Sequence, residues 1–203
     1  MRRTVRIGLV LVGLTLAGGL FLLEDFITHG VSTRRRPLAV EAFVARRLRH
    51  LAIPRAARKR FNPLARTQEG LAQARVHFAD HCASCHGNDG KGETPIGQGL
   101  YPKAPDMRLA ETQGLSDGEL FSIIQNGVRF TGMPAWGSGS AEDEKDSWNL
   151  VHFIRHLPEQ TPEEVEEMRQ MNPKTPEDLR EEDEIRKFLE GGEDASTNLP
   201  VKH

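Results

Sequence analysis

Residues 81–86 read His81-Cys82-Ala83-Ser84-Cys85-His86, and they contain both cysteines of the 203-residue chain. Two thiols separated by two residues and followed at once by an imidazole suit one planar cofactor. Each sulfur can add to one of two neighbouring vinyl groups on an edge of haem, while the histidine lies beneath the ring and reaches the iron. A C-x-x-C pair also serves thioredoxin-like redox sites and zinc. The thioredoxin arrangement expects a strand before the motif, whereas residues 69–81 read as helix. Zinc expects four ligands, usually from two knuckles, and there is no second cysteine pair. His77, His81, His152 and His156 could complete a zinc site, but the last two are i, i+4 neighbours on a helix expected to face the core edge. The motif therefore predicts one covalent haem c on Cys82 and Cys85, with His86 as an axial ligand.

A second axial position then needs a ligand. Downstream stand Met107, Met133, Met168 and Met171. An isolated methionine is usually core filler. Met133 differs in its setting, Thr131-Gly132-Met133-Pro134-Ala135-Trp136, where glycine permits close backbone approach and proline stiffens the loop. His/Met ligation is a known cytochrome solution, so Met133 is the expected partner of His86. Iron with six ligands has no open position for substrate. The expected chemistry is outer-sphere electron transfer, with no general acid, base or nucleophile and no enzyme activity of the chain's own. The rival reading is a haem enzyme or a gas or redox sensor in which Met133 is displaced.

These residues need elements to position them, and the pattern predicts helices throughout, with no convincing strand alternation. Residues 38–52 favour a helix that Pro54 would end. Residues 69–81 place Leu71, Ala74, Phe78 and Ala79 on one side and run into the cysteine motif. Glycine and proline make 87–105 a long loop. Ser116 and Glu119 form a capping box ahead of Leu120, Phe121, Ile123 and Ile124, and Asn126-Gly127 closes that helix. Another helix begins near Ser140, carries Trp148, Val151, Ile154 and Leu157, and stops at Pro158. Thr161-Pro162-Glu163-Glu164 and Thr175-Pro176-Glu177-Asp178 each repeat a helix start, with Pro at N1. Asn172-Pro173 and Gly191-Gly192 would end the two tail helices. Their apolar edges, Val165, Met168 and Met171 in the first and Leu179, Ile185, Phe188 and Leu189 in the second, suit either packing or an exposed acidic appendage.

On CASCHG, TGMPAW and the flanking helices, residues 68–158 resemble the class I cytochrome c family. The resemblance implies an all-α fold of helices wrapped around one haem. It also implies that Phe78 packs on the final helix near Trp148 or Phe153. In that family a backbone carbonyl of the proline loop accepts the proton on the ligand histidine's outer nitrogen. Pro105 resembles that position best, with Pro95 and Pro102 as competitors. Ala74 departs from the family, which often has glycine at this helix crossing.

The N-terminus carries Arg2, Arg3 and Arg6 ahead of an uncharged apolar run, Ile7 to Leu23, about 26 Å long as a helix. Ala17-Gly18-Gly19 could mark signal cleavage, but Leu20-Phe21-Leu22-Leu23 continues the run, so a retained anchor is the expected reading. Arg34-Arg35-Arg36 competes with the first arginines in setting orientation. Haem is attached to members of the family outside the bacterial cytoplasm. The resemblance therefore implies a single-pass inner-membrane protein with its cytochrome domain in the periplasm. The net charge of -2 hides opposed arms. Residues 1–66 hold 14 Lys/Arg against 3 Asp/Glu, residues 67–157 hold 7 against 12, and residues 158–203 hold 6 against 14. The expected division is an anchor at 1–23, a basic juxtamembrane segment at 24–66, a cytochrome domain at 67–158 and an acidic helical tail at 159–203. The expected partners are redox proteins or a respiratory complex and the membrane, with no nucleic acid.

Overall fold

The structure, a computed structural model, describes residues 2–30, 32–34 and 37–189. Arg35, Arg36 and the expected Gly191-Gly192 stop lie outside the described residues. Every regular element among the described residues is helical, as the sequence pattern predicts. Helix α1 (Arg2–His29) rises about 42 Å at 1.5 Å per residue, more than the roughly 30 Å of a bilayer's hydrocarbon core. It is long and apolar enough to cross a membrane, and none of it is buried against the rest of the chain.

Helices α2 (Ala39–Ala52) and α3 (Arg55–Arg58) are separated at Pro54. The chain from Ile53 to Arg66 is not a free spacer, because it lies on the helices that follow. Ile53 is buried, the Arg60 guanidinium stands 4.4 Å over the Phe121 ring, and Asn62 Nδ2 donates to the Trp148 carbonyl at 2.9 Å. A Cβ on Gly118 would come within 2.0 Å of the Ala57 carbonyl oxygen, so only glycine lets α3 cross there.

Helix α4 (Gln68–His77) starts at Thr67, whose hydroxyl accepts the Gly70 N–H at 3.0 Å. The expected single helix over 69–81 widens instead into a π-turn, Phe78–Cys82, before α5 (Ala83–His86). Phe78 and Ala79 of this turn lie in the core, each 1% exposed, Cys82 closes it, and Cys85 and His86 follow in α5. Short helices α6 (Pro95–Gly99) and α7 (Ala110–Gln113) interrupt the long loop. In α8 (Asp117–Asn126) the expected capping box is complete: Glu119 N–H donates to the Ser116 hydroxyl and Ser116 N–H to Glu119 Oε2. Helix α9 (Ala141–His156) ends in a 3₁₀ turn, Leu157–Glu159.

The core lies where α4 crosses α9. Phe78 meets Phe153 with centroids 5.0 Å apart, one of the two partners implied for it. Trp148 stacks on Phe121 at 4.1 Å. Ala74 occupies the crossing almost fully buried. The tail divides in its behaviour. Helix α10 (Pro162–Arg169) opens with a capping box at Thr161 and Glu164 and buries Met168 completely. Helix α11 (Pro176–Leu189) buries none of its residues. Among the described residues of the tail, the exposed appendage is thus α11.

Arg75 joins α10 to α4: its Nη2 lies 2.5 Å from Glu164 and its Nη1 3.1 Å from Glu167. His156 Nε2 is 3.1 Å from the same Glu164 carboxylate. Burial alone would raise the Glu164 pKa, but the Thr161 N–H, His156 and Arg75 together outweigh it and hold the carboxyl below its ordinary value. A carboxyl depressed on folding contributes stability above its unfolded pKa and loses it as pH falls through the folded one. Met168→Ala is expected to cost about 2–5 kcal/mol in denaturant unfolding. Glu164→Gln should cost about 1 kcal/mol, with its deficit vanishing once acid protonates the wild-type carboxyl. A Glu164→Gln deficit that persisted unchanged below that range would mean the charge is not what Arg75 and His156 hold.

Candidate haem site

Residues Cys82, Cys85 and His86 share the turn where the π-helix passes into α5. Both thiols are free and half-buried. Burial, then the neighbouring Cys85, pushes the Cys82 thiol up to about 12. Among the described residues no three His, Cys, Asp or Glu side chains converge as a metal site. Of the four histidines that could complete a zinc site, His77 and His81 stand with ring centroids 4.9 Å apart, and His152 and His156 are engaged elsewhere. His152 Nε2 is 2.9 Å from the Leu64 carbonyl oxygen, and His156 joins the Glu164 cluster.

The loop after the motif folds back and fastens it. The Thr94 hydroxyl lies 2.8 Å from the Ser84 carbonyl and 3.0 Å from that of Cys85. It also accepts the Gly97 N–H at 2.9 Å as the N-cap of α6. Gly97 presses on the same turn so closely that a Cβ would fall 2.1 Å from the Cys85 carbonyl oxygen. Gly92 N–H donates to the His86 carbonyl at 2.7 Å, and Ala104 N–H to that of Gly97 at 3.0 Å. Neither Thr94 nor Gly97 was among the residues singled out in the sequence. The signal for Thr94 is present, since Thr94-Pro95 repeats the N-cap and N1 pairing used to place the tail helices.

The folded loop brings Pro105 to His86. Burial lowers the His86 pKa, and the Pro105 backbone carbonyl, close enough to favour the protonated ring, opposes it in part. The His86 Nδ1 atom is buried without a hydrogen bond of good geometry. A neutral imidazole with one nitrogen turned inward is the form that binds iron, and a carbonyl against the ring is the means of orienting it.

Met133 lies on the loop between α8 and α9. Its N–H donates to the Thr131 hydroxyl at 3.1 Å and its carbonyl accepts the Val128 N–H at 3.0 Å. Gly132 packs on Leu100. The Trp136 ring stands 5.2 Å from His81, directly beside Cys82 in the chain. Met107 and Met168 are buried in the core, with Met171 packed on its edge, whereas Met133 remains half-buried on the loop.

Two cysteines on one turn, a buried imidazole whose pKa burial lowers, and a carbonyl against its ring fit a haem attached at Cys82 and Cys85. Residues 69–154 form a class I c-type cytochrome domain, a module for haem-based electron transfer. Residues 69–154 match the family described as cytochrome c oxidase, cbb3-type, subunit III. No curated protein matches the chain.

Gly97→Ala is expected to displace the Thr94 clamp and destabilise the domain by about 1–3 kcal/mol, with less covalent haem per polypeptide in a peroxidase stain. Normal haem yield and unfolding midpoint in this variant would show that the α6 contact does not hold the motif.

Proposed function

We propose that the protein is a membrane-tethered electron carrier, or a subunit of a respiratory oxidoreductase, with one haem c on Cys82 and Cys85 and with His86 and Met133 as axial ligands. The buried His86 on the same turn as both cysteines, with the Pro105 carbonyl against its ring, carries this reading. The haem supplies a one-electron Fe(III)/Fe(II) couple when bound. The chain's own residues set its surroundings: Pro105 orients His86 through its carbonyl, and Thr94 and Gly97 hold the attachment turn still. The loop 131–136 offers the Met133 thioether, a ligand that favours the ferrous state and raises the potential. A rigid frame keeps nuclear rearrangement small as the charge changes.

Helix α1 supports a single-pass anchor, and the attachment of haem to this family outside the cytoplasm supports a periplasmic domain on a bacterial inner membrane. The matched family's name favours partners within an oxidase complex. A tether of this kind confines the carrier to the surface where such complexes sit.

The wild-type protein should show a positive midpoint potential and a ferric charge-transfer band of Met ligation, with no change on adding carbon monoxide to the ferrous form. Met133→Ala should keep its covalent haem, lose the band, lower the potential and bind carbon monoxide. An unaltered spectrum and potential in that variant would place the sixth ligand elsewhere. Carbon monoxide binding by the wild type would favour a sensor or haem enzyme.

A further inference from the structure

Helix α2 is held to the cytochrome helices from one side. Glu41 accepts the Tyr101 hydroxyl at 2.5 Å, His50 Nδ1 stands 2.8 Å from the buried Glu119 carboxylate, and Ala42 between them is half-buried. At 100° per residue the opposite side of the helix carries Val40, Val44, Leu48 and Leu51. They are 63%, 45%, 59% and 72% exposed. They form one apolar ridge along the helix, directed away from the domain. Arg47 borders it, with its guanidinium 5.2 Å over the Phe43 ring. Residues 37–66 hold eight Lys/Arg and one acid, Glu41.

We propose that α2 is an interfacial helix. It lies in the headgroup layer of an anionic bilayer with its Val40–Leu51 ridge inward, and so fixes the height and orientation of the haem domain. Two observations select lipid as the occupant. Nine residues separate His29 from Ala39, a reach of at most about 36 Å even when extended, so α2 is tethered within that distance of the surface that α1 enters. A ridge bordered by arginine on a strongly basic segment complements anionic headgroups over an apolar interior. A helix of this length is marginal in water on its own, so its order reports what covers it.

The inference rests on α1 being a retained anchor, and amide exchange of the full chain in nanodiscs separates the two. Amides of residues 42–52 should exchange roughly tenfold more slowly in discs containing phosphatidylglycerol than in phosphatidylcholine discs, with the difference shrinking at high salt. Val44→Glu with Leu48→Glu should abolish the difference, while the amides of α4 and α9 keep their protection and the chain stays in the disc. Equal rates in the two discs, with the chain retained, would overturn the inference and leave the anchor intact. Slow exchange seen only in native membranes would also overturn it, by assigning the ridge to a protein partner. A chain that leaves both kinds of disc would remove the anchor reading, and the interfacial helix with it.

Discussion

The Thr94 hydroxyl, lodged between the Ser84 and Cys85 carbonyls and taking the Gly97 N–H, is the contact through which the loop holds the attachment turn. Carbonyls at the end of a helix lack intrahelical partners, and α5 is a single turn with several such groups. Left to water, that turn would fray and the two sulfurs would lose their fixed separation. The Thr94 contact satisfies the carbonyls, starts α6 and brings the following chain back, so that Ala104 and Pro105 pass under Gly92 and beside His86. The position of the Pro105 carbonyl thus follows from a hydroxyl eleven residues earlier. Close approach at Gly97 is what permits it, because a methyl group there would meet the Cys85 carbonyl.

Attachment of α10 shows which force dominates outside the haem region. Full burial of a methionine is worth about 1.5–3 kcal/mol, whereas a partly exposed ion pair contributes about 1 kcal/mol or less. Met168 is completely buried, while Arg75 and Glu164 keep about a fifth of their side-chain surface in water. The methionine therefore supplies most of the docking energy and the ions mainly fix its register. Without an equivalent buried side chain, α11 has the same Thr-Pro start but no hold on the core.

Periodicity and capping made the helices legible: Ser116 with Glu119, Ser140, and the two Thr-Pro starts all stand where the sequence pattern places them. The attachment motif was legible because its chemistry is local, three reactive side chains within five residues. Contacts between distant segments were not. Nothing in Gly118 announces that Ala57 crosses it, and a π-turn at Phe78–Cys82 has no compositional mark. The outer contact of His86 was open among three prolines because a loop's return path depends on which carbonyls need partners.

Opposed charge in the two arms has an internal use that composition alone does not reveal. The basic arm meets acids of the domain, His50 at Glu119 and Arg60 near Glu144 at 3.5 Å. The acidic tail meets a base, Arg75. Each pairing stands beside one buried apolar anchor, Ile53 or Met168. Like charge would repel if the arms exchanged places, so the pattern selects which arm docks where. The pairing also leaves a remainder. Arg46, Arg47, Arg55 and Lys59 stay exposed after the internal acids are matched, on the arm that continues from α1. It is this unmatched charge, rather than the arm's total, that is available to a surface beyond the molecule.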